Sequence, residues 1–355
     1  MIHRDEVSAD TGIPFGPYTL VRRLARGGMA EVFLASERTI TGVERKVAIK
    51  RILPHLAGSY DFVRMFLAEA KLAARIAHPN IVHVYDSGKV AGDYFIAMEF
   101  VDGVTGTDLM RMAEKRPTPA GLVARIGAAA AEALHYAHQL RDPDGKLLGL
   151  VHRDISPANL MVSLQGAVKI VDFGIAKAVA AADDKTNPGI VKGKYAYMSP
   201  EQTAALPLDG RSDVFSLGLC LLEIASGKPV VERGDAISAM RVIRDGHLPK
   251  TAAFAPHLPP ALCRAIDNAL AIERDKRSRA DELLAELEAY MKIAPDGASA
   301  AELGAWVRAH LADAPAGSAP VTAQSPTTIA TAADRFAAAR ATIPEADATS
   351  FSTAL

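Results

Sequence analysis

Between residues 18 and 51 apolar and polar side chains alternate in three runs, YTLVRRLA, EVFLASE and RKVAIKRIL. A period of two is that of strands with one buried face. In the third run Val47 and Ile49 share one face, and Ala48 and Lys50 share the other. From about 61 to 77 the period lengthens: Phe62, Phe66, Glu69, Ala73 and Ile76 recur at the spacing of one helical face. IVHVYDSG and DYFIAMEF then read as two further strands. From about 104 to 292 the pattern is mostly helical, interrupted by short strands near 160–162 and 168–171, and a further helix is expected at 299–312. Strands followed by helices predict an α+β architecture of two lobes, with a hinge and cleft at EFVDG, residues 99–103. Beyond APAGSAP the chain is rich in Ala, Thr, Ser and Pro, so residues 313–355 are expected to be disordered.

Composition narrows the function classes. The 355 residues are 49% hydrophobic and 23% charged, with a formal net charge of −1. Such a balance gives no reason to expect nucleic acid or anionic lipid as a partner. The longest apolar helix, DVFSLGLCLLEIA at 213–225, is shorter than the roughly 18 residues a membrane span needs and is bracketed by Asp213 and Glu223. MIHRDEVSAD has no signal-peptide apolar region, and Cys220 and Cys263 both fall in apolar helical patterns. Two buried thiols, no membrane span and a cytoplasmic setting are the expectation. A homodimer is compatible with this composition, but nothing indicates one.

Four segments carry chemistry. LARGGMAEVF, 24–33, joins two strands, and its glycines can let backbone N–H groups approach phosphate oxygens; an ordinary hairpin turn would read the same way. Glu69 is the only charge in its helical stripe. An inward carboxylate needs a cation, and Lys50 on the preceding strand suits, unless Glu69 sits at the stripe's edge in water. VHRDISPANLMV, 151–162, sets Asp154 five residues before Asn159. A second HRD at 3–5 is a control: no asparagine follows it at that spacing, and its surroundings are polar. Finally DFG, 172–174, closes a strand thirteen residues after Asn159. A carboxylate base, an amide and a second carboxylate fit proton acceptance and magnesium binding.

In this order, with YMSPE at 197–201, DVFSLG at 213–218 and Arg277, the chain resembles the eukaryotic-like serine/threonine protein kinases, above all the bacterial members, over about residues 18–292. The resemblance implies a two-lobed protein kinase fold, a small β-rich N-lobe at 18–100 and a larger helical C-lobe at 104–292. Residues 1–17 would then be an N-terminal extension and 293–312 a short helical extension. It implies ATP with Mg2+ or Mn2+, and protein substrates phosphorylated on Ser or Thr. Leu24, Ala25, Arg26, Gly27, Gly28, Met29, Ala30, Glu31 and Val32 would cover the nucleotide. Val32 and Ala48 would lie above adenine and Met161 below it, with Met98 as gatekeeper and Glu99 and Val101 at the adenine edge. Lys50, paired with Glu69, would hold phosphates, Asp154 would be the catalytic base, and Asn159 and Asp172 the metal ligands. Glu201 with Arg277 would brace the activation segment, Asp213 would anchor the catalytic loop, and Arg153 would gather a phosphate on Thr186.

The chain departs from the family at three places. Ala25 and Ala30 replace two glycines of the phosphate loop. Ser156 stands where serine/threonine kinases carry a phosphate-neutralising lysine, and Lys194 stands where they carry a threonine. The two substitutions exchange types, so Lys194 is expected to restore the missing charge from the opposite side, unless it is a surface lysine with no catalytic role. These departures leave open a pseudokinase, a nucleotide-binding scaffold without transfer. A small-molecule phosphotransferase would share the Asp and Asn but not YMSPE or DVFSLG. RDPDGKLLGL, 141–150, reads as a solvated hairpin or a docking segment.

Overall fold

A computed structural model of the chain describes residues 12–38, 42–172, 194–295 and 297–313. The N-terminal part is an antiparallel sheet of strands β1 (Ile13–Phe15), β2 (Tyr18–Arg26), β3 (Ala30–Arg38), β4 (Glu44–Ile52), β5 (Val84–Val90) and β6 (Asp93–Glu99), in the order β1-β2-β3-β4-β6-β5. The alternation expected from the sequence sets its two faces. Phe15, Leu20, Phe33, Val47, Ile49 and Phe95 pack together on one side. Phe95 meets Phe15 and Tyr18 edge-on, with ring centroids 5.5 and 5.6 Å apart. Ala48 and Lys50 face the other way, toward helix α1 (Tyr60–Ala73) and the cleft.

Two boundaries differ from the sequence reading. The sheet begins at Ile13, before residue 18, because β1 pairs with β2; a three-residue strand is too short to show a period. Helix α1 ends at Ala73 rather than near 77. The His78–Pro79 step disfavours helical backbone there, yet Ile76 stays buried in the turn that follows.

The C-terminal part holds helices α2 (Gly106–Lys115), α3 (Ala120–His138), α4 (Pro200–Thr203), α5 (Arg211–Ser226), α6 (Ala236–Arg244), α7 (Thr251–Phe254), α8 (Pro260–Ala269), α9 (Ala280–Met291) and α10 (Ala300–Ala312). A small sheet of β7 (Gly103–Thr105), β8 (Leu160–Ser163) and β9 (Val168–Ile170) floors the cleft. Helix α5 is buried from Ser212 to Ala225, as expected of a helix apolar on every side. It stops at Gly227, whose φ of +71° is left-handed and where a Cβ would lie 2.4 Å from the Glu114 amide nitrogen. Among the described residues no helix is long and apolar enough to cross a membrane.

The lobes meet in a second place besides the hinge. The Val82 amide donates to the Ile170 carbonyl at 3.0 Å, the Ile170 amide to the Asn80 carbonyl at 2.8 Å, and Asn80 Nδ2 to the Val168 carbonyl at 2.9 Å. Strand β9 is thereby stitched to the segment entering β5.

Candidate active site

The cleft-facing side of β4 delivers Lys50, and the inward face of α1 delivers Glu69. Lys50 Nζ lies 2.7 Å from Glu69 Oε1 and 2.9 Å from Asp172 Oδ1. Burial favours the neutral amine, but Asp172 and Glu69 outweigh it and hold Lys50 well above the ordinary lysine value. Burial pushes the Glu69 carboxyl up, Lys50 opposes this, and the charge of Asp172 adds to the rise. One ammonium thus serves two carboxylates.

The catalytic-loop backbone is fixed from below by α5. Asp213 Oδ2 accepts from the His152 amide and Oδ1 from the Arg153 amide, both at 2.8 Å, and His138 Nε2 also reaches Oδ2 at 2.8 Å. These bonds support an unfavourable backbone at Arg153, whose φ is +66°; Asp172 is also left-handed, at φ +55°, and each costs about 1–3 kcal/mol. Asn159 Nδ2 donates to the Asp154 carbonyl at 2.8 Å and to Asp154 Oδ2 at 3.2 Å. The Val171 amide donates to the Asn159 carbonyl at 3.0 Å. Asp154, Asn159 and Asp172 are therefore gathered at the open end of the β8–β9 hairpin. With its nitrogen committed to Asp154, Asn159 has its amide oxygen left as a donor to a cation. That oxygen and the Asp172 carboxylate are of the type magnesium accepts and can supply part of its oxygen set, with phosphate and water completing it.

Above this, Ala48, Val82, Met98 and Val101 form an apolar slot with Val32, Val84, Phe100, Met161 and Val171 against it. Val32, Ala48, Met98, Val101 and Met161 were expected there from the sequence. Val82, Val84, Phe100 and Val171 were not, although the apolar runs IVHV, EFV and VKIV contained the signal. The Glu99 carboxylate is taken up by Lys169 at 2.7 Å, so what Glu99 can offer a base is backbone. Behind Met98 a recess lined by Lys50, Glu69, Ile81, Val84, Ile170 and Asp172 continues the cleft inward.

The glycine loop is the β2–β3 turn, closed by a bond from the Gly27 amide to the Ala30 carbonyl at 2.8 Å. Leu24, Ala25 and Arg26 lie on its β2 side, Gly27 and Gly28 at its tip, and Glu31 and Val32 on β3. Met29 and Ala30 pack toward Ile52, Leu53 and Phe66. Glu31 is buried and meets Arg23 at 3.2 Å, Arg26 at 3.6 Å and Arg51 at 3.2 Å. Its carboxylate serves the sheet.

Thr186 lies outside the described residues, as do Phe173 and Gly174 of DFG. Lys194 opens a 3-10 turn, Lys194–Tyr197, and its side chain is outside the description. Helix α4, which follows that turn, is tied to the catalytic loop: Gln202 Nε2 donates to the Arg153 carbonyl at 3.1 Å. Ser156 Oγ and Arg153 Nε are buried with no hydrogen-bond partner among the described residues. Arg277 Nη1 meets Glu201 Oε1 at 2.7 Å, and Ser212 Oγ donates to the same oxygen at 2.6 Å.

Residues 18–287 match the model of the protein kinase domain. The chain is 41% identical over 303 residues to tyrosine-protein kinase MasK of Myxococcus xanthus, covering 84% of this chain and 47% of that one. It is 39% identical over 241 residues to serine/threonine-protein kinase PknB of Mycobacterium tuberculosis, covering 66% and 36%. The chain thus spans less than half the length of these relatives. Among solved structures, the PknI kinase domain of Mycobacterium tuberculosis superposes with a TM-score of 0.58 at 31% identity, over 80% of this chain and 98% of that one.

Proposed function

Since the chain belongs to the protein kinase family, we propose that it transfers the γ-phosphoryl group of ATP to serine and threonine hydroxyls of proteins, its own included. The observation that carries this is Lys50 within 3 Å of both Glu69 and Asp172, with Asp154 bonded to Asn159 beside them. A scaffold that binds nucleotide without transfer is not supported by so complete a set.

Catalysis is then mostly positioning and charge stabilisation. The apolar slot takes the base, Lys50 takes phosphate oxygens, and the loop from Leu24 to Val32 covers them. A divalent cation, Mg2+ or Mn2+, held by Asn159 and Asp172, supplies neutralisation of the phosphate charge. Asp154 orients the acceptor hydroxyl and takes its proton as the new oxygen–phosphorus bond forms and the β–γ bridge breaks.

Two regulatory and catalytic details belong to this reading. Lys194 supplies the positive charge absent at Ser156; the Gln202–Arg153 bond, which ties the helix following the Lys194 turn to the catalytic loop, supports this. Thr186 is autophosphorylated, and Arg153, whose Nε lacks a partner among the described residues, receives the phosphate. Buried, unpaired Cys220 and Cys263 suit a cytoplasmic site of action.

A tyrosine acceptor is the second reading, favoured by the name of the 41%-identical relative and by the small Ser156. The test is incubation with labelled ATP–Mg2+ and a generic protein substrate, beside an Asp154→Asn control, then acid hydrolysis of the product. Phosphoserine and phosphothreonine are expected; phosphotyrosine alone would replace the first reading, and no label above the control would end both.

A further inference from the structure

The family match ends at residue 287, and helix α10 lies beyond it. Its seat on the C-lobe is tight. Leu303 and Val307 are fully buried in the main core. A Cβ on Gly304 would lie 2.7 Å from the Leu164 carbonyl oxygen and the Gln165 carbonyl carbon, and one on Gly166 would lie 1.7 Å from the Ala300 carbonyl oxygen. Neither gap holds a methyl group, so helix and turn touch main chain to main chain. Arg308 adds a hydrogen bond to the Leu164 carbonyl. The Leu164 amide in turn donates to the Asp102 carbonyl in the hinge, at 2.8 Å.

The turn that α10 grips, Leu164–Gly166, is the closed end of the β8–β9 hairpin. Its open end carries the proposed metal ligands. Strand β8 begins right after Asn159, and β9 ends at Ile170, two residues before Asp172. The hairpin is short and hydrogen-bonded throughout, so a shift at its turn moves its open end as one piece. Strand β7 also pairs along β8, and the opposite lobe holds β9 through Asn80, Val82 and the Lys169–Glu99 ion pair.

We propose that α10 is a positioning element for the metal-binding pair, acting through Gly304 and Arg308. Docked, it fixes the hairpin so that Asn159 and Asp172 meet one cation; undocked, it lets their spacing drift. This rests on the metal role proposed above for those two residues. The coupling is reciprocal, so cation and nucleotide bound at the open end tighten the docking of α10 by the same factor.

Trp306 sits on α10, partly buried against the core, and is the only tryptophan of the chain. Its emission therefore reports docking without any activity assay. The experiment measures acrylamide quenching of Trp306 in the full chain during a Mg2+ titration with a non-hydrolysable ATP analogue. In the parent, quenching is expected to fall as Mg2+ and nucleotide bind. Gly304→Leu and Arg308→Met alter only the helix. They are expected to raise quenching and to move the Mg2+ midpoint up by about tenfold, the low end for outer-shell support of a metal. Transfer should recover at saturating Mg2+. If Gly304→Leu does not fold, Arg308→Met, with an exposed side chain, carries the same comparison. Variants that expose Trp306 while keeping the parent's Mg2+ midpoint would reduce α10 to a lobe cap and overturn the proposal, as would variants with unchanged quenching. An Asn159→Ala arm separates the two layers. Should it too keep the parent's midpoint, the metal role itself fails; should it alone shift, only the role of α10 fails.

Discussion

Arg277 reaches across 76 positions of chain to hold Glu201, both side chains almost fully buried. The guanidinium also donates to the carbonyls of Ala271, Ile272 and Arg211, so nearly every donor is used. Removing one partner of such a pair leaves a buried charge unmatched. Arg277→Ala is expected to destabilise the fold by roughly 3–5 kcal/mol in urea unfolding. Burial pushes the Glu201 carboxyl up, but bonds from Arg277 and Ser212 more than offset this and hold it below its ordinary 4.5. The parent's advantage over Glu201→Gln should therefore be constant above about pH 4.5 and fade only as pH falls further.

Glu69 behaves in the opposite sense. Its carboxyl is raised above 4.5, chiefly by burial, so ionising it is less favourable in the folded chain than in the unfolded one. Relative to Glu69→Gln, the parent should lose urea stability as pH rises from about 4.5 through the folded value. Transfer activity, which needs the ionised partner of Lys50, should begin to fail on the acid side above that same 4.5. A pH–rate profile whose acid limb starts below it would contradict this.

The exchange at Ser156 and Lys194 is tested by kinetics. Lys194→Ala should lower kcat by roughly 10²–10³, as removal of one transition-state donor does, with nucleotide affinity unchanged. Adding Ser156→Lys should restore part of the loss. Parent-like turnover by Lys194→Ala, at unchanged ATP affinity, would show Lys194 to be a bystander.

Activation through Thr186 predicts a phosphopeptide covering that residue in active enzyme, and lower activity in Thr186→Ala. Arg153→Gln should lose a similar factor, and the double variant little more, because the two act as a pair. Mapping that finds Thr186 unmodified in fully active enzyme ends the idea.

Much of this site was legible in the sequence because its residues are fixed by period and order. The alternation around Val47–Lys50 named the face that Lys50 occupies, and the lone charge in the α1 stripe named its partner. Other parts were not legible, for physical reasons. The burial of Glu31 depends on Arg51, a strand away in space but twenty residues away in the chain. The left-handed backbone at Arg153 and Asp172 leaves no mark in residue type, since neither is glycine. The grip of Gly304 on the Leu164–Gly166 turn joins segments whose glycines, taken singly, look like ordinary turn and helix residues.

The stitch between Asn80–Val82 and Val168–Ile170 has a mechanical consequence. With the hinge it defines a line about which the two lobes can turn once the Lys50–Asp172 ion pair, a third tie between them, is released. Here that line runs from the Glu99–Gly103 connection to the Ile81–Ile170 bridge. Opening the mouth therefore swings the distant β2–β3 rim through a wide arc, while Val82 and its neighbours on the axle scarcely travel.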